Sequence, residues 1–162
     1  MMLNPYAKFL GDRAPQKILS ETPDRLEAIV QWLGPAGIER SLAPGKWSVR
    51  EIIIHLADCE IAFSFRLRQA LAEDSHTIQP FDQETWAANY ANYETGAALS
   101  LFSSLRLWNL ALCKNLNSET LAKPVTHPER GTMTFATILE TMAGHDLNHL
   151  QQLEAISAQS VS

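Results

Sequence analysis

Apolar residues recur every three or four positions along most of this chain, and the recurrences fall into four segments of helical period. The first opens at Thr22-Pro23, a cap residue followed by proline at the first helical position. It continues through Leu26, Ile29, Val30 and Leu33 and stops at Gly34-Pro35-Ala36-Gly37. Residues 4–20 carry a weaker pattern, a further turn or two of helix. The second segment has the sharpest start, because Ser48-Val49-Arg50-Glu51 is a capping box. Its stripe of Ile52, Leu56, Cys59, Phe63, Leu67 and Ala70 predicts a helix to about residue 73. In 74–93, Pro80-Phe81-Asp82 leads into a short helix through Trp86 and Tyr90. That stretch is too long for a bare hairpin and is read as a crossover along the bundle. A third helix is predicted from about Glu94 to Asn117, with Leu101, Leu105, Trp108 and Leu112 as its buried stripe. Pro124 to Gly131 reads as an ordered loop. The fourth helix runs from near Thr134 to about Ala158, on Phe135, Ile138, Leu139, Met142, Leu153 and Ile156. Alternation of the strand kind is nearly absent, apart from a few residues around Val125 and Met133. The expectation is an all-α four-helix bundle with a crossover connection, one domain over residues 1–162.

Composition narrows the function without naming it. The chain has 162 residues, 46% of them hydrophobic, and a net charge of −5. Its thirteen basic residues are dispersed among eighteen acidic ones, which argues against a nucleic-acid partner. No apolar run approaches the ~20 residues of a membrane span. Met1-Met2-Leu3-Asn4-Pro5 lacks the basic-then-apolar order of a signal peptide, so the expected setting is cytoplasmic, with no membrane partner. Cys59 and Cys113 fall inside predicted helices and are expected to be reduced and buried.

The candidate chemistry lies in His145-Asp146-Leu147-Asn148-His149. Two imidazoles four residues apart stand about 6 Å apart along a helix and share one face. At ~100° per residue that face also holds Ile138, Met142 and Ile156, so both rings point toward the core. His55 sits at the border of the second helix's stripe. Packed helices approach to ~8–10 Å, close enough for His55 to meet the pair. His55, His145 and His149 would then bind one divalent metal ion with positions left open, the arrangement of a catalytic site. Glu60 and Asp146 are the candidate catalytic carboxylates. Glu60 could act as a general base or pair with an arginine, and Asp146 could orient an imidazole or serve in helix packing. Asp58 is turned away from His55 by the helix. Cys59, one turn beyond His55, is read as packing, although thiolates bind soft metals. His76 and His127 are expected in solvent-facing loops, Trp47 as an anchor at the helix start, and Asn148 as a candidate pocket residue. The 74–93 connector and the 124–133 loop are expected to form the pocket rim.

Two stretches resemble the signature of the DinB/YfiT-like superfamily. They are Gly45-Lys46-Trp47-Ser48-Val49-Arg50-Glu51-Ile52-Ile53-Ile54-His55-Leu56-Ala57-Asp58-Cys59-Glu60 and Gly144-His145-Asp146-Leu147-Asn148-His149-Leu150-Gln151-Gln152. The resemblance runs from about Thr22 to Ser157, and includes Phe81-Asp82-x-x-x-Trp86 and His127-Pro128-Glu129-Arg130-Gly131. It implies a bundle with a crossover, often a homodimer, in which the histidines at positions 55, 145 and 149 bind zinc or nickel. It also implies a small-molecule substrate. Some relatives are thiol transferases using bacillithiol or mycothiol, a low-molecular-weight thiol, and others are described only as metal-dependent hydrolases. Thiol transfer is slightly favoured by the resemblance. A non-catalytic, stress-related binding protein and a purely structural histidine core are the competing readings.

Overall fold

Four long helices carry most of the chain: α2 (Pro15–Gly37), α3 (Val49–Ala72), α5 (Thr95–Cys113) and α7 (Phe135–Ala158). Short elements join them: α1 (Ala7–Leu10), β1 (His76–Thr77), α4 (Gln83–Ala87), a 3-10 turn at Tyr90–Asn92, α6 (Ser118–Leu121), β2 (Pro124–His127) and β3 (Gly131–Thr134). The structure is a computed structural model and describes residues 3–159. Met1 and Met2, read above for a signal peptide, lie outside the described residues, as do 160–162.

The expected four-helix bundle is present, and its helix directions follow from side-chain pairings. Arg25 pairs with Glu154, and Leu19 packs with Leu139 and Met142, so α2 and α7 run parallel. Ile54 and Ala57 lie beside Ala97 and Ala98, while Leu67 lies beside Leu110 and Cys113, so α3 and α5 also run parallel. Two consecutive long helices that run parallel need a connection as long as the bundle. Residues 73–94 supply it, as the length of that segment predicts. Within it Asp82 caps α4 by accepting from Thr85 N at 3.0 Å, and Phe81 stacks on Trp86 across the cap at 4.6 Å.

The capping box of α3 forms as read: Ser48 Oγ accepts from Glu51 N at 3.2 Å, and Glu51 Oε2 accepts from Ser48 N at 2.7 Å. The start of α2 differs from expectation. The helix begins at Pro15 and passes straight through Pro23. A proline inside a helix leaves the carbonyl four residues earlier without its donor. Here that carbonyl is Leu19 O, and Arg106 Nη1 donates to it at 3.0 Å. Thr22 is not a cap but is buried, its hydroxyl donating to Ile18 O at 2.9 Å.

The buried face of α5 is also corrected. Leu101 and Trp108 are exposed, and the buried side is Ala98, Phe102, Arg106, Asn109 and Cys113. Among the described helices, α5 alone is long and apolar enough to cross a membrane by length and composition. No such stretch was expected from the sequence, yet α5 packs within the bundle through this partly polar face. The 124–131 loop is in fact a hairpin. Val125 and Met133 are cross-strand partners, both buried, and β1 adds to β2 in parallel. His76 and His127, expected in solvent, are buried on β1 and β2. His76 Nδ1 lies 2.7 Å from Glu73 Oε2, and Arg130 Nη2 contacts His127 Nε2 at 2.8 Å. Both cysteines are free and buried, as expected.

Candidate metal centre

His55 on α3 and the pair His145 and His149 on α7 meet where these antiparallel helices cross. His145 Nε2 stands 3.1 Å from His55 Nε2 and 3.2 Å from His149 Nε2. All three side chains are buried. Donors bound tetrahedrally at ~2.0–2.1 Å from zinc would be roughly 3.3 Å apart, so each of these two separations fits a pair of donors on one ion. The charge state fits as well. Burial, then the charge of His149, pulls the His55 pKa down to about 3. Burial, then His149, His55 and Arg106, holds His145 well below its ordinary range. Burial also lowers His149, against opposing contributions from Gln152 and Asp146. Neutral imidazoles keep a lone pair free for a cation.

Neighbours fix which nitrogen turns inward. Gln152 Oε1 accepts from His149 Nδ1 at 2.9 Å, which leaves the Nε2 lone pair for the cluster. Gln152 stands three residues after His149 on one helix face, a spacing readable in the sequence but overlooked. Tyr90 OH lies 3.4 Å from His55 Nδ1 and is itself hydrogen-bonded to Asp58. Asp58, although turned away, therefore reaches His55 through a phenol. Trp47 does more than anchor a helix start: its ring packs 4.7 Å from His55 and 5.9 Å from Tyr90. Tyr6 meets His145 edge-on at 5.1 Å. Its backbone passes so close to α7 that a Cβ on Gly144 would lie 2.6 Å from Tyr6 O. Glycine is required at 144 by that approach.

Cys59 packs, as read, but also joins the cluster. Its Sγ lies 3.5 Å from His55 Nε2, and one donor atom each from His55, Cys59 and His145 lie within 4.8 Å of one another. Burial pushes the thiol pKa well up, so Cys59 is a neutral thiol.

Glu60 and Asp146 sit one layer away, facing a different partner. Arg106 donates from Nε and Nη2 to Glu60 at 3.0 and 2.8 Å, and from Nη1 and Nη2 to Asp146 at 2.6 and 3.2 Å. Asn109 Nδ2 adds a bond to Glu60 Oε1 at 2.8 Å. With the bond to Leu19 O, all five guanidinium N–H groups are matched. Every oxygen of the two carboxylates is engaged. The general-base role considered for Glu60 gives way to the structural alternative, an ion pair with arginine. Asp146 likewise holds helices together.

Two cavities open on the histidines. One, about 220 Å³, is lined by Cys59 and His145 together with Arg66, His127 and Arg130. The other, about 590 Å³, is lined by His55 and His149 together with Trp47, Asn148 and Gln152. Tyr6 and Gln83 border both. The expected rim segments do contribute, through Phe81 and Gln83 on one side and His127, Arg130 and Met133 on the other.

Comparison with known proteins places this architecture. The chain is 28% identical over 139 residues to "Putative metal-dependent hydrolase OB0782" of Oceanobacillus iheyensis, covering 85% of this chain and 81% of that relative. It is 23% identical over 144 residues to "Putative metal-dependent hydrolase YfiT" of Bacillus subtilis, covering 87% and 81%. The solved structure of Bacillus subtilis YfiT, described as having an unusual four-helix bundle topology, superposes with a TM-score of 0.83 at 22% identity, over 91% of this chain and 86% of that one. That likeness establishes the shared fold. Residues 18–153 match the family model of the DinB superfamily, and the chain belongs to that family.

Proposed function

We propose that this protein is a metal-dependent enzyme acting on a small molecule, with His55, His145 and His149 holding one divalent ion, zinc or nickel. The observation that carries the reading is the convergence of three neutral imidazole nitrogens, at 3.1 and 3.2 Å, on rings that line two cavities. Bound there, such an ion supplies Lewis acidity that activates water for hydrolysis or the sulfur of a small thiol for transfer. The chain's own residues do the rest. Gln152 and Tyr90 hold two of the rings in register, Trp47 and Tyr6 wall the rings off, and the cavities admit the reactants. The names of the relatives support hydrolysis, and the wider family resemblance supports thiol transfer. A cytoplasmic setting belongs to the same proposal, supported by two free cysteines. So does a homodimer, supported by apolar side chains left exposed on α3 and α5.

Elemental analysis of protein purified without added metal tests the centre. One equivalent of zinc or nickel is expected, lost in His149→Ala and in His55→Ala/His145→Ala. The mutual closeness of His55, Cys59 and His145 favours a second donor set, with Cys59 in place of His149. Metal retained in His149→Ala but lost in Cys59→Ala would select it. Turnover is then assayed with panels of esters, amides, and thiols paired with electrophiles. Saturable ligand binding without product from any panel would make the protein a binding module.

A further inference from the structure

The smaller cavity contains a pair of guanidinium groups that the metal centre does not use. Arg66, on α3, is 9% exposed, yet it has no carboxylate partner among the described residues. Its guanidinium makes one hydrogen bond among the described residues, Nη2 to Gln79 O at 3.3 Å, and its carbon sits 5.6 and 5.5 Å from the Phe63 and Phe81 ring centroids. Arg130, from the hairpin, donates to His127 and likewise pairs with no acid. The two arginines are close enough to repel: burial first, and then the charge of Arg130, lowers the pKa of Arg66. Glu129 also lines this cavity, but it is exposed and bridges to neither arginine among the described residues.

Arg106 shows how this fold treats a buried guanidinium it means to neutralise. There two carboxylates and a carbonyl take all five N–H groups. Arg66 is also buried, though less deeply than Arg106, and has one long bond. A buried cation left without its counter-charge is costly, and a second cation beside it raises that cost. Planar guanidinium donors match the paired oxygens of carboxylates and phosphates.

We infer that Arg66 and Arg130 form an anion subsite, which seats a carboxylate or phosphate group of a small molecule in the chamber that His145 and Cys59 also line. That this molecule is the substrate rests on the function proposed above; the subsite itself does not. A volume of about 220 Å³ limits it to a small group.

The test is calorimetric titration of the full-length protein, as purified and after chelation, with inorganic phosphate and with succinate at constant ionic strength. At least one anion is expected to bind in both forms. Arg66→Gln and Arg130→Gln should each weaken it about tenfold or more, with metal content unchanged. Phosphate alone would mark a phosphorylated ligand, and succinate alone a carboxylate. Should Arg66→Gln fail to fold, Arg130→Gln decides. No binding of either anion, binding that vanishes on chelation, or full binding in Arg130→Gln would overturn the subsite. A protein that binds no metal but still binds the anion would sink the metal reading and leave this one standing.

Discussion

Gln152 has one contact at the cluster, and it decides which nitrogen of His149 carries the proton. Replacing it by leucine removes that acceptor while leaving a helix-compatible side chain at a half-buried position. Metal affinity, measured by competition with a chelator, should fall about 10- to 100-fold, with the helical circular dichroism unchanged. An unaltered affinity would mean that the ring is held by packing alone. The lowered histidine pKa values give a second expectation at this scale. A histidine kept neutral by the fold but ordinary in the unfolded chain makes the unfolded state bind more protons below pH ~6.5. Stability of the metal-free protein is therefore complete above that pH and drains away as pH falls toward the folded value, about 3 for His55. Each titrating ring contributes up to ~1.4 kcal/mol per pH unit. Urea midpoints of chelated protein should fall clearly between pH 7.5 and 5.0, and less so in His55→Phe. Equal midpoints for the two proteins at every pH would show that His55 is not buried in the neutral form.

At the scale of elements, Arg106 ties α5 to α2, α3 and α7 at once, through Leu19 O, Glu60 and Asp146. Arg106→Met leaves two carboxylates buried without their cation and should cost about 3–5 kcal/mol. Adding Glu60→Gln and Asp146→Asn should recover part of that loss in urea denaturation. No recovery would assign the loss to packing instead of charge. The same residue explains why the sequence misleads about α5. Apolar residues surround this helix, so periodicity could not choose a face, and the exposed stripe of Leu101 and Trp108 looks as core-like as the true one. What turns the helix is the polar pair Arg106 and Asn109, whose partners lie on other helices and leave no local pattern. Pro23 misleads for a related reason, since the donor that lets α2 continue past it is Arg106, more than eighty residues away. The start of α3 was legible because both halves of its capping box lie within four residues. His145 and His149 were legible because their spacing and shared face are local. For His127 and Arg130 only the place of their segment at the rim was legible, since the burial of His127 and the turn that presents Arg130 depend on strand pairing.

For the whole molecule, the parallel run of α3 and α5 has a consequence at the surface. Turning Arg106 and Asn109 inward leaves Leu101, Leu107 and Trp108 exposed on α5, while Ile61 and Phe65 are exposed on the neighbouring α3. Only 28% of the most apolar window of α5 is buried, although its mean hydropathy reaches 1.2. An exposed face of this kind is covered by lipid or by protein. Ile61, Tyr93 and Leu101 share one groove with Asp58 and Glu94, whose carboxylates suit a wet rim better than hydrocarbon. A second copy of this chain, related by a two-fold axis, would cover the face with its own. Large aromatics at the centre of such an interface contribute about 2 kcal/mol or more each. The parent is therefore expected to run as a dimer in light scattering, and the double variant Phe65→Glu/Trp108→Glu as a monomer at the same concentrations. Its metal content should be retained, because neither residue touches the histidine cluster. A parent protein that is monomeric at all concentrations and partitions onto phospholipid vesicles would give this face to the membrane instead.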